Sequence, residues 1–189
     1  MKALFILLLG LLPLHAGTGE TVVASARKQI GVTLGYDPAY TVLAYPGGDV
    51  SPKIGVCTDV VIRALREGLS KDLQQLVHDD MAANFGSYPK NWGLKRPDKN
   101  IDHRRVPNLR TYFKRQGWQL SLAAKPDFTT FQAGDIVTCT VPPNLPHIMI
   151  VSNRRTPEGV PLVIHNIGGG AQEEDELAKF PLTGHYRLK

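Results

Sequence analysis

Cysteine is scarce in this chain: Cys57 and Cys139 are the only two in 189 residues, too few for a disulfide-stapled scaffold. They also lie too far apart to form the short Cys-x-x-Cys pair of a structural zinc site. After the first dozen positions no apolar run approaches the roughly 20 residues that a membrane-spanning helix needs. Basic residues are scattered over 95–115 and 154–155 and form no glycine-rich RNA-binding motif, so nucleic acid is not an expected partner. The triple glycine 168–170 lacks the Lys-Ser/Thr that would make it a phosphate loop and reads as a flexible turn. Internal repeats and low-complexity stretches are absent.

What remains, 42% hydrophobic and 21% charged, suits one compact domain with an ordinary core. Residues 1–16 are expected to stand outside it. Lys2, the apolar "ALFILLLGLL" and small Ala16 have the order of a secretory leader cut after Ala16. The remaining chain, 17–189, is then expected in the periplasm or beyond the cell, with no stable membrane insertion. The formal charge of +5 is mild and fits an anionic polymer or a carboxylate-bearing substrate.

Periodicity predicts helices first and strands later, an α+β arrangement with helices packed on an antiparallel sheet. A first helix is expected over 20–30, stopped by Gly31, and a glycine- and proline-rich loop follows to Gly55. The next helix opens at Cys57, buries Val60, Val61, Ala64 and Leu65, exposes Arg63, Arg66 and Glu67, and stops at Gly68. Ser70 is read as the cap of a third helix ending near Gly86, and Pro107 as the first residue of a fourth. Strands are expected in "WQLSL", "DIVTCTV", "HIMIV", "PLVIHNI" and "HYRL".

Cys57 sits where free backbone N–H groups and the positive end of a helix dipole would lower a thiol pKa, as a nucleophile requires. His147 opens one strand and His165 lies in the next, so an antiparallel pairing would let one imidazole orient the other. His78, in a helix of mixed charge, reads as a surface residue. Three alternatives stay open for the same residues: a Cys57–Cys139 disulfide, a zinc site built from Cys57, Cys139, His147 and His165, and a non-catalytic binding module. Arg104 and Arg105, after Asp102 and His103, are either a bidentate carboxylate clamp or a solvated loop with a local Asp102 pair.

Cysteine opening a helix, Gly134-Asp135 leading a strand, a histidine starting the next strand and "IH" one hairpin later resemble the NlpC-type papain-like cell-wall peptidases. That resemblance implies a papain-like fold and cofactor-free cleavage of an amide bond in peptidoglycan stem peptides. Cys57 would be nucleophile, His147 base and His165 the orienting member, with Asn166 as runner-up. Tyr45 would line the site near the oxyanion. The chain departs from the family in having Val56 where an aspartate precedes the cysteine, and Asp59 then either reads a substrate amine or only complements the helix N-terminus. A closer resemblance, carried by "YPGGDVSPKIGVCTDVVIRALR", "NIDHRRVPNL", "FQAGDIV" and "PHIMIVSN", is to the YijF-type family of secreted bacterial proteins. It covers nearly all of 20–189 and leaves the substrate, and the choice between hydrolase and acyltransferase, open.

Overall fold

A computed structural model describes residues 17–189; the leader expected over 1–16 lies outside them. The described chain is mixed α+β. Helix α1 (Thr18–Arg27) is followed by two short strands, β1 (Gly35–Tyr36) and β2 (Ile54–Gly55), which pair in parallel. Helices α2 (Cys57–Leu69), α3 (Leu73–Asn84) and α4 (Val106–Arg115) come next, then β3 (Ile136–Val141), β4 (Leu145–Arg155), β5 (Pro161–His165), β6 (Gln172–Glu174) and β7 (Leu182–Tyr186). The last five form one antiparallel sheet in the order β6-β5-β4-β3-β7.

Strand alternation divides the core in two. Ile136, Ile148, Ile150 and Ile164 face the helices and pack with Val22, Val61, Leu65, Leu109 and Phe113. Val137, Cys139, Met149, Val151 and Val163 face the other way, against Phe131 and Leu177. Truncating a fully buried core leucine such as Leu65 to Ala would cost about 2–5 kcal/mol. Among the described residues no helix is long and apolar enough to cross a membrane.

Several local expectations need correction. "WQLSL" forms no strand: Gln119 makes a single bridge to Tyr186, while the three-residue β6 had no visible pattern. Ser70 does not cap α3. It closes α2 in the left-handed region, and Asp72 caps α3 by accepting from the Gln74 N–H. Arg63 is buried, because Asp49 takes its guanidinium in two hydrogen bonds and the Thr33 hydroxyl and the carbonyls of Val50, Ser51 and Ile54 accept the rest. That fan of bonds ties the turn-rich loop to α2. Glycine is required where α1 meets the turn before β3: a Cβ on Gly19 would fall 2.0 Å from the Ala133 carbonyl oxygen.

Candidate active site

Cys57 is the first residue of α2, and Val56 before it is extended, so the chain enters the helix at the thiol. The Asp59 carboxylate accepts from the Val56 N–H at 2.7 Å and caps the helix from inside its first turn. The backbone amides of Ile148, the residue after His147 on β4, and of Thr58 and Cys57 itself favour a charge on the sulfur. Cys57 lines a cleft of about 360 Å³ together with Tyr36, Trp92, Arg104, Arg105 and Pro146.

His147 and His165 are brought together. The register of β4 and β5, with Ile150 opposite Ile164, sets them diagonally on one face. His147 Nε2 and His165 Nδ1 are 2.8 Å apart with the rings edge to face. His165 Nε2 is 3.1 Å from Glu174 Oε2, a group to which nothing in the sequence pointed. Glu174 sits in an acidic run that reads as solvated surface, and only the pairing of β6 with β5 turns it toward His165.

Burial governs the protonation states. It pushes the Cys57 thiol up to about 12, against the pull of the Ile148 N–H, and pushes His147 down to about 3, with His165 adding to the shift. His165 is also lowered by burial, with Glu174 opposing. At rest the Cys57 thiol and the His147 imidazole are therefore both neutral. The depressed thiol pKa expected from the helix start is not found, because loss of solvent outweighs the amides.

The tyrosine of the cleft is Tyr36, not Tyr45. Pairing of β1 with β2 sets Gly35 and Tyr36 beside Ile54 and Gly55, just before Cys57, and Tyr36 lines the same cleft as Cys57. Burial raises its pKa to about 12, with the Cys57 and Asp59 charges adding. Tyr45 instead donates to Asp79 Oδ1 at 3.1 Å and packs edge-on against half-buried His78.

Arg104 is not free to hold a substrate. Its Nε and Nη2 each lie 2.9 Å from Asp59 oxygens, and its other contacts go to the Ala39 and Asp37 carbonyls. Asp59 is thereby occupied as well and reads no substrate amine. Arg105 differs: it makes a 3.3 Å contact with Asp102, stacks 4.1 Å over the Trp92 ring and lines the cleft. Asn166 is structural. Its Nδ2 donates to the Gly35 and Gly55 carbonyls while its Oδ1 accepts from Gly168 and Gly170, so it is no triad member and the glycine turn is held in place.

The remaining alternatives fare as follows. Both cysteines are free and buried. Cys139 stands directly opposite His147 in the β3–β4 register, and burial, with Cys57 and Glu176 adding, pushes its thiol up to about 12. Among the described residues no three His, Cys, Asp or Glu side chains converge as a metal site, so the four-residue zinc set is not assembled.

A family model described as a domain of unknown function, DUF1287, matches residues 23–188. The chain belongs to this family. It is 55% identical over 174 residues to the uncharacterized protein YijF of Escherichia coli (strain K12), covering 92% of this chain and 83% of that one. Among solved structures it is similar in fold, with a TM-score of 0.54 at 13% identity, to a protein described as an N-acetylmuramoyl-L-alanine amidase from Bacteroides uniformis. That similarity covers 92% of this chain and all of the other.

Proposed function

We propose that the protein is a cysteine amidase of NlpC-like, papain-like type that acts on an amide bond of peptidoglycan stem peptides, outside the cytoplasm. The observation that carries this is a cleft-lining helix-start cysteine whose thiol feels the backbone amide of Ile148, the residue after His147, together with a histidine pair 2.8 Å apart on the same strand and its neighbour. The fold likeness to a protein described as a cell-wall amidase supports the choice of substrate.

As substrate enters, His147 takes the Cys57 proton while sulfur attacks the carbonyl carbon, which avoids a long-lived buried thiolate. The Cys57 N–H and the Tyr36 hydroxyl are the donors for the oxyanion. Protonated His147 passes its proton to the leaving amine, and a thioester remains on Cys57. Water, giving a proton to His147, attacks the thioester and releases the carboxylic acid and the thiol. The chemistry needs only these side chains. In this reading Arg105, which lies over the Trp92 ring in the cleft, receives a substrate carboxylate.

The test is digestion of purified sacculi followed by mass spectrometry of the soluble fragments, with Cys57→Ala as control. Release of stem peptides or cut stems by the parent alone supports the reading. Intact sacculi, or equal release by both proteins, overturns it.

A further inference from the structure

We infer that Glu174 is a positioning residue that sets the tautomers of His165 and His147, and so decides which nitrogen of His147 is left as the base. The role in catalysis rests on the amidase reading above; the tautomer assignment does not.

A carboxylate only accepts hydrogen bonds, so the 3.1 Å contact between Glu174 Oε2 and His165 Nε2 assigns the His165 proton to Nε2. Neutral His165 then carries its lone pair on Nδ1. That atom is 2.8 Å from His147 Nε2, so His147 must donate there and hold its own proton on Nε2. The lone pair of His147 is left on Nδ1, the nitrogen that in the amidase reading takes the thiol proton. Burial keeps both rings neutral, the condition under which one tautomer dictates the next.

Glu174 is itself held. With its amide turned so that the nitrogen faces the carboxylate, Gln172, the register partner of His165, donates to Glu174 Oε1 at 2.9 Å. The other charges that His165 feels are Glu176 and Lys179, which pair with each other at 2.6 Å. Cys139 faces His147 across the sheet but is neutral. Glu174 is thus the acid in direct contact with the histidine pair. Without it, His165 can place its proton on Nδ1 and donate to His147, which draws the lone pair of His147 onto Nε2 and off Nδ1.

Long-range proton–nitrogen NMR of the ¹⁵N-labelled full chain at neutral pH reads the tautomers directly, with His147→Gln and His165→Gln used for assignment. Nε2-protonated signals are expected for both rings in the parent and in Glu174→Gln, whose side-chain carbonyl still accepts. Glu174→Ala is expected to mix the tautomers of both rings. It should lower kcat on the order of tenfold to a hundredfold with little change in KM, as loss of an outer carboxylate that orients a histidine does. Unchanged tautomers in Glu174→Ala, or Nδ1-protonated rings in the parent, overturn the inference. If the tautomers shift as stated while the parent releases nothing from sacculi, the tautomer assignment stands and the amidase reading falls.

Discussion

Arg104 grips Asp59 with both arms of its guanidinium at 2.9 Å, and the two side chains are only 2% and 3% exposed. Asp59 in turn caps the helix that begins at Cys57, so this ion pair fixes the start of α2 rather than a ligand. Removing one member leaves the other charged and buried, which typically costs about 3–5 kcal/mol. Arg104→Ala should therefore lower the urea midpoint sharply, and Arg104→Lys should recover only part of it, since lysine lacks the fork. A midpoint near the parent's would show that the pair contributes little.

Arg105 should behave differently. Arg105→Ala is expected to leave stability nearly unchanged and to raise KM for a stem peptide with a free carboxylate by roughly tenfold or more, the worth of a charge-assisted contact. An amidated peptide should be turned over equally by variant and parent. Equal losses on both peptides would assign Arg105 to general attraction or to folding.

The two tyrosines provide a sharp contrast. Tyr36→Phe removes a hydroxyl from the cleft that Cys57 lines and should lower kcat by about tenfold to a hundredfold, in keeping with loss of one oxyanion donor. Tyr45→Phe loses only a half-exposed bond to Asp79 and should retain full activity. Steady-state rates on one peptide substrate decide the matter; the reverse order would return Tyr45 to the site.

Alkylation reports the state of the thiol. Because burial holds Cys57 up to about 12, its reaction with iodoacetamide at neutral pH should be much slower than that of a free cysteine and should climb about tenfold per pH unit. Cys139, 1% exposed against 4% for Cys57, should be slower still. Peptide mapping of labelling rates over about pH 7 to 10 is the measurement. A rate that levels off below pH 8 would mean that an ion pair forms at rest.

Acid should weaken the fold through buried histidines. His103 is buried with its Nδ1 lacking a partner, and burial, helped by the Arg104 charge, lowers its pKa to about 4. Below its ordinary value of about 6.5 the unfolded chain takes up a proton that the folded chain refuses. Stability is then full above that value and falls as the pH drops toward about 4, by up to about 1.4 kcal/mol per pH unit for this group. Urea curves at pH 7 and pH 5 should show His103→Gln to be less acid-sensitive than the parent.

The elements with strong periodicity were readable from sequence. The helix opening at Cys57 and the strands bearing His147 and His165 follow from alternation and from glycine and proline stops, and their adjacency follows from antiparallel order. What stayed hidden depends on contacts distant in the chain. Tyr36 and Tyr45 lie in the same turn-rich stretch, and only the parallel pairing of β1 with β2 selects the former. Arg104 looks like a solvent-facing cation until Asp59, 45 positions earlier, is seen to hold it. Glu174 belongs to a strand too short to carry a period of its own.

Asn166 was described above as a clamp with four backbone bonds, and it adjoins His165 in the chain. Its two donor bonds end on Gly35, next to Tyr36, and on Gly55, two residues before Cys57. One amide thus serves as a common fastening for the segments that carry Cys57, Tyr36 and His165. Spacing errors among those parts do not accumulate through a series of separate loops; they are all referred to a single side chain. Asn166→Asp, which would turn two donor bonds into contacts between oxygens, should loosen all three parts together and leave a folded protein whose catalytic parts no longer share a frame.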